Sequence, residues 1–248
     1  MTAQIGSFTI DPRYCGPARS GNGGYVCGQL CNFIDGPARA KLIAPPPLNS
    51  EIRVVADGAG VTAYAGDVKI GMAEPASVEI ELPQIPTEPG VRAAHAAYLE
   101  DIESHPIAHC FVCGPKRKPG DGLRLFTGPV PDSSVNADFW VPEDDFAAED
   151  GLIRPEILWA ALDCPTAFSL RHGNTKLCLL GALTAEVRRR PKPGETLTVM
   201  AWPRGVDGRK NYADGALIDD HGEIVAAANA VWIELTDPKM IAAVKAGA

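Results

Sequence analysis

Alternating hydrophobic and polar positions in the C-terminal half predict one helix followed by an antiparallel sheet. The segment GLIRPEILWAALDCPTAF has apolar residues at helical spacing, tolerates Pro155 in its first turn, and is expected to end at Pro165. Apolar and polar residues then alternate in ALTAEV, LTVMA, YADGALIDD and IVAAANAVWIEL, with turn sequences between them. The pattern predicts a helix and a four-stranded meander.

The N-terminal half repeats this order of elements. Its helix is predicted in GGYVCGQLCNFI, and its proline-rich turn, Pro45–Pro47, corresponds to the turn at Pro191–Pro193. Alternating strands follow, including IRVVA and the later VEIEL at residues 78–82. We interpret this repetition as an internal duplication with diverged sequence.

The two halves define a predicted domain organisation. Residues 1–86 form an N-terminal domain, residues 87–105 a solvated linker helix capped by proline and glycine, and residues 106–248 a C-terminal domain. The fold class is α+β, with a long helix against an antiparallel sheet in each domain.

Composition narrows the class of protein. The chain of 248 residues has a net charge of −8, which disfavours a nucleic-acid partner. No apolar run approaches the ~20 residues that span a bilayer. The start lacks the basic-then-apolar pattern of a secretory signal, so we expect a cytoplasmic protein. The seven cysteines are an odd number and are expected to be reduced thiols.

Four segments resemble those of double hotdog proteins in the thioesterase superfamily, in particular acyl-CoA thioesterase II. GNGGYVCGQL resembles the glycine-led start of the hotdog helix, and CFVCGPKRKPGDGLRL resembles the first strand of many single-hotdog thioesterases. RRRPKPGETLTV and DDHGEIVAAANAVW resemble the sheet hairpins of the superfamily. The resemblance implies two tandem hotdog domains whose sheets join into one double hotdog, with possible further association into homo-oligomers.

The resemblance also implies where the chemistry lies. In hotdog thioesterases one helix offers a backbone N–H at its N-terminus, and the facing helix offers a carboxylate. Superposing the two helices of this chain pairs Gly24 with Pro155 and Asn32 with Asp163. The first helix thus has a free glycine N–H and the second a carboxylate, whereas proline has no N–H and asparagine is no base.

This asymmetry predicts one active site, where Asp163 faces Gly24, and one degenerate copy, where Asn32 faces Pro155 and both the base and the donor are missing. We expect Asp163 to act as base or nucleophile, opposite the N–H of Gly24, with Asn22 and Gly23 completing the open helix end. The alternative to this catalytic interpretation is purely structural: the glycines form a turn before the helix, and Asp163 is an ordinary carboxylate near a helix end.

Other candidates concern the substrate. Tyr25 is expected to line the site. The resemblance implies a hydroxyl that orients water, for which Thr166, Ser169 and Thr184 are candidates, although Thr184 is slightly out of register. Arg188 and Arg190 are expected to face solvent and to bind the phosphates of coenzyme A, or else to form an exposed basic stripe.

Metal and thiol chemistry have weaker signals. His105, His109, Cys110 and Cys113 have suggestive spacings, but a single CxxC without a second pair is insufficient, and no metal or separate cofactor is predicted. Cys164 follows Asp163 directly and is expected to be a small buried residue, not a nucleophile.

The predicted function is hydrolysis of an acyl-CoA thioester. One alternative is a double hotdog that binds acyl-CoA or lipid without catalysis. The other is an enoyl-CoA hydratase or dehydratase, although no histidine here follows the D-x-N-P pattern of those enzymes.

Overall fold

The structure, a computed structural model, describes residues 3–170 and 177–246. Its helices are α1 to α5, at Gly23–Cys31, Glu88–Glu100, Pro155–Ala161, Asp163–Ser169 and Pro238–Ala246. Its strands are β1 to β11, at Gln4–Thr9, Ala38–Leu42, Glu51–Asp57, Gly60–Ala65, Val68–Pro75, Gly128–Pro129, Asn136–Trp140, Cys178–Val187, Leu197–Asp207, Lys210–Ile218 and Ile224–Glu234.

The described strands form one antiparallel sheet with matching halves. From edge to edge their order is β1-β3-β4-β5-β2-β8-β11-β10-β9-β7-β6. The halves meet where β2 pairs with β8, with Ala38 opposite Ala185 and Ala40 opposite Leu183. Moving outward from this pair, each half repeats the same order of connections, so the predicted duplication and the α+β class are confirmed.

Helices α1, α3 and α4 lie on one face of the sheet and form the main core with it. Leu30 of α1, Leu158 of α3 and Leu183 of β8 are fully buried there. Their burial follows from alternation, because every second strand residue points towards the helices.

Helix α2 covers the opposite face of the C-terminal half-sheet. Val91 and Ala94 are fully buried against Met200 and Ile218, whose neighbours Val199 and Leu217 point into the main core. The prediction of a solvated linker helix was therefore wrong for one side of this helix, while its other side is exposed. The limits 1–86, 87–105 and 106–248 stay a prediction.

The second repeat helix is longer than expected and is broken. It is interrupted at Leu162 and continues to Ser169, so Pro165 does not end it. Pro165 is the third residue of α4, and the N–H groups of a first turn have no intrahelical acceptor, so a proline there removes no helical hydrogen bond.

Two predicted strands are absent from the described chain. Residues 76–87, including VEIEL, form neither helix nor strand. A hairpin with the preceding strand is excluded because β5 is already paired on both edges, by β4 and β2. The backbone of Glu79 instead exchanges two hydrogen bonds with the side chain of Asn229. The segment CFVCGPKRKPGDGLRL forms turns, and the outer strands of that half are β6 and β7. In the described residues, no helix is long and apolar enough to cross a membrane.

Candidate functional site

The site begins at the N-terminus of α1, which Asn22 caps. Asn22 has extended backbone angles, and its Oδ1 accepts a hydrogen bond from the N–H of Tyr25 at 2.9 Å. An asparagine in this position satisfies one of the free N–H groups of a first turn. Its amide nitrogen remains available and points towards the second half of the chain.

Asp163, the first residue of α4, meets this helix end. Its Oδ2 accepts a hydrogen bond from the N–H of Gly24 at 3.0 Å and from Nδ2 of Asn22 at 2.7 Å. The structure thus brings together Asn22, Gly24 and Asp163, as the sequence analysis expected of a shared site. A carboxylate at the positive end of a helix dipole is favourably placed.

The glycines serve close packing, which corrects the expectation of an open helix end. A Cβ atom on Gly24 would lie 2.5 Å from Cβ of Asp163 and 2.7 Å from the carbonyl oxygen of Trp159. On Gly23 it would lie 2.9 Å from Leu180. The N–H of Gly24 is likewise not free, because it already binds Asp163. Glycine is needed here so that α1 can approach α3 and α4.

Burial dominates the electrostatics of Asp163. The residue is 2% exposed, and this burial raises the pKa of its carboxyl group to about 7, against the lowering effect of the two donors. Oδ1 is fully buried and has no hydrogen-bond partner in the part of the chain that the structure describes. One oxygen is therefore held in place, and the other lacks a donor.

A second carboxylate, Glu156, lies where the C-terminal end of α1 meets the N-terminal end of α3. We call this the reciprocal position, because here the roles of the two repeat helices are exchanged. Nδ2 of Asn32 donates to Oε2 of Glu156 at 3.2 Å, and Arg154 lies 3.7 Å from the other oxygen of Glu156. The predicted partner of Asn32, Pro155, was wrong by one residue, because Arg154 caps α3 as Asn22 caps α1. The reciprocal position thus lacks neither carboxylate nor cation.

Tyr25 lies in an aromatic cluster. Its ring stacks on Tyr14 at a centroid distance of 4.2 Å and meets the edge of Phe111. Its hydroxyl accepts a hydrogen bond from Gln29, and burial raises the pKa of Tyr25 far above its usual value. Tyr25, which was predicted to bind substrate, is thus almost fully buried, with 4% of its surface exposed.

Neither threonine offers a free hydroxyl next to Asp163. Thr166 is fully buried, donates to the backbone oxygen of Asp163 at 2.6 Å and accepts from the indole N–H of Trp232 at 2.9 Å. Its only hydrogen atom for donation is thus engaged. Thr184 lies between Leu183 and Ala185, which point into the main core, so it belongs to the other face of the sheet.

The arginines are already paired, which corrects the expectation that both face solvent. Strand β8 ends at Val187, so the alternation argument does not extend to them. Arg190 is half-buried, binds both oxygens of Asp150 and donates to the carbonyls of Leu152 and Ile153. Arg188 is exposed and pairs with Glu186 at 3.1 Å.

A cluster of three thiols adjoins the carboxylate, and the sequence analysis missed it. The sulfur atoms of Cys110, Cys113 and Cys164 lie within 4.8 Å of one another, and all three residues are buried. Nδ2 of Asn22 lies 3.9 Å from Sγ of Cys110 and 4.0 Å from that of Cys164. The sequence signals were the CxxC pair of Cys110 and Cys113 and the position of Cys164 directly after Asp163, and nothing in the sequence joined them. His109, by contrast, is exposed.

Comparison with solved structures identifies the architecture. A TesB protein from Mycobacterium avium subsp. paratuberculosis is 14% identical, with a TM-score of 0.60 over 95% of this chain and 96% of the other. A protein of unknown function with a hotdog fold from Alicyclobacillus acidocaldarius is 12% identical, with a TM-score of 0.60 over 96% of each chain. This chain has a double hotdog fold.

Another double hotdog structure has a described activity. The acyl-CoA thioesterase II TesB2 of Mycobacterium marinum is 15% identical, with a TM-score of 0.55 over 88% of this chain and 91% of that one. No family model matches the sequence, and no curated protein matches it. The likeness therefore establishes the double hotdog fold, and the reaction has to be argued from the site.

Proposed function

We propose that this double hotdog protein is an acyl-CoA thioesterase, which uses water to convert a thioester into a free acid and coenzyme A. The observation that carries the proposal is the buried carboxylate of Asp163, held at the N-terminus of α1 from the other half of the chain. Similar structures, one of which is described as an acyl-CoA thioesterase II, support it through their fold.

The two oxygens of Asp163 have different parts in this proposal. Oδ2 is held by Gly24 and Asn22, which fix the orientation of the carboxylate. Oδ1 has no partner among the described residues, and it is the oxygen that takes a proton from water or attacks the thioester carbonyl. The N-terminus of α1 adds a positive field where negative charge develops on the carbonyl oxygen.

The test is turnover by a variant that keeps the shape of the site. Release of free thiol is followed with a chromogenic reagent over a panel of acyl-CoA substrates, and the best substrate is used for Asp163→Asn. Loss of a catalytic base lowers kcat by about 10²–10⁴-fold. Glu156→Gln is the matched control, because Glu156 is an equally buried carboxylate at the reciprocal crossing. An Asp163→Asn variant with the wild-type rate would contradict the assignment.

A second candidate is a double hotdog that binds acyl-CoA without turnover. It is favoured by the deep burial of Asp163 and by the engaged hydroxyl of Thr166, which leave no evident group to position water among the residues that the structure describes. Calorimetric titration with the same acyl-CoA panel separates the two. Binding without thiol release supports this second candidate, and thiol release that depends on Asp163 supports the first.

A further inference from the structure

Three cysteine thiols from two distant parts of the chain converge next to Asp163. Cys110 and Cys113 lie in the turns between α2 and β6, and Cys164 is the second residue of α4. The sulfur atoms of Cys110 and Cys164 are 3.6 Å apart, and all three sulfurs lie within 4.8 Å of one another. All three side chains are reduced and at most 8% exposed.

The spacing fits ligands of one metal ion better than a disulfide bond. Zinc binds thiolate sulfur at about 2.3 Å, which places two sulfurs of a tetrahedral site about 3.8 Å apart. A disulfide requires the sulfurs to approach to about 2.0 Å. The separation of 3.6 Å between Cys110 and Cys164 matches the first arrangement.

The surroundings of Cys110 are built to hold a thiolate. The backbone N–H groups of Val112 and Cys113 donate to its sulfur, and the amide of Asn22 approaches it at 3.9 Å. Gly114 closes the turn, where a Cβ atom would lie 2.5 Å from the carbonyl oxygen of Cys110. Such N–H donors around a sulfur ligand are typical outer partners of a metal site.

We propose that Cys110, Cys113 and Cys164 bind one zinc ion. Binding would release the three thiol protons to solvent and leave a zinc trithiolate with a net charge of −1. No fourth histidine, cysteine, aspartate or glutamate of the described chain lies within the same distance of all three sulfurs, so the fourth position is left for water or another small ligand. Thiolates are soft ligands, which favours zinc over magnesium or calcium.

The site would tie the segment around Cys110 to α4, directly beside Asp163. No metal was predicted from the sequence because a single CxxC without a second pair of ligands is a weak signal. The third sulfur, Cys164, is 54 residues from Cys110 and becomes a neighbour only in the folded chain. This inference does not depend on the proposed hydrolysis, since a zinc ion here would be present in an inactive binder as well.

The test is the zinc content of the whole protein. The chain is produced in zinc-supplemented medium, purified under reducing conditions without a chelator or a metal-affinity tag, and measured by plasma mass spectrometry. We expect one zinc per chain in the wild type. We expect none in Cys113→Ser and Cys164→Ser. Cys31→Ser is the matched control, because Cys31 is a buried thiol outside the cluster, and it should retain the metal.

A second measurement needs no variant. Cobalt(II) added to the metal-free wild type should give the strong charge-transfer absorption of thiolate ligation, and zinc should abolish it. The proposal is overturned if the wild type takes up neither ion. It is also overturned if both serine variants keep a full equivalent of zinc, or if mass spectrometry of metal-free protein finds a disulfide among the three cysteines.

Discussion

Replacing Gly28 by alanine tests how closely α1 and α3 must approach each other. A Cβ atom on Gly28 would lie 2.5 Å from Cα of Glu156 and 2.9 Å from Cβ of Trp159. Carbon atoms in contact are normally about 3.5–4.0 Å apart, so the overlap is about 1 Å. Because Cα of Glu156 is backbone, it cannot rotate away, and the two helices have to separate along their crossing.

The size of the effect follows from two opposing contributions. Overpacking a core costs about 1–3 kcal/mol, and a backbone clash belongs at the upper end of that range. Alanine gains about 1 kcal/mol over glycine in a helix interior. We therefore expect a net loss of about 2 kcal/mol in the free energy of unfolding, which lowers Tm by about 4–8 °C in a chain of this size.

Urea denaturation followed by circular dichroism measures this loss as a lower midpoint at an unchanged slope. Gly90→Ala is the matched control, because Gly90 also lies in a helix but its added Cβ would have no neighbour closer than 3.5 Å. That variant should be neutral or slightly stabilised. If Gly28→Ala behaved like Gly90→Ala, the spacing of α1 and α3 would not depend on the missing side chain, and our account of the helix crossing would be refuted.

Two further predictions concern pairs outside the site. Nδ1 of His95 lies 2.9 Å from Asp138, and this hydrogen bond raises the pKa of His95 despite burial and the opposing charge of Arg124. The stabilisation of the folded protein by the His95–Asp138 pair is therefore complete below the pKa of His95 in the unfolded chain, about 6.5. It is lost as the pH rises through the higher pKa of His95 in the folded protein. In thermal melts, the Tm of His95→Gln should be lower than that of the wild type at pH 6 and equal to it at pH 9. The same difference in Tm at both pH values would contradict this prediction. Arg190→Gln breaks a bidentate pair with Asp150 and removes hydrogen bonds to the carbonyls of Leu152 and Ile153, so it should lower the urea midpoint of unfolding while leaving KM for acyl-CoA unchanged, whereas a raised KM would return this arginine to the substrate site.

Strands whose residues alternate regularly were predicted correctly from the sequence. The prediction failed where contacts between distant parts of the chain determine whether a strand can form. Leu183, Ala185 and Val187 carry a pattern of period two, and the strand lies there. VEIEL has the same pattern but forms no strand, and it cannot form a hairpin with the preceding strand because both edges of β5 are occupied. Alternation reports which face a residue prefers, but it does not show whether a sheet edge is free to accept it.

The same distinction applies to the site. The resemblance to hotdog thioesterases, applied to the two aligned helices, predicted that Asp163 lies opposite Gly24, and the two residues are hydrogen-bonded in the structure. The details of that crossing were not available from spacing. Whether Asn32 faces Pro155 or Glu156 depends on a shift of one residue that only the caps of the folded helices define. Whether the N–H of Gly24 is free depends on how closely Asp163 approaches it.

The two ends of the α1–α3 crossing have diverged in a way that bears on function. Glu156 is buried, but Arg154 lies 3.7 Å away and compensates its charge. Asp163 is at least as buried and has no cationic partner in the described parts of the chain, only two neutral donors. Asparagine could accept the same two hydrogen bonds without the cost of burying a charge. A purely structural contact would therefore not require aspartate at residue 163, and the uncompensated carboxylate supports the catalytic role that we propose for Asp163.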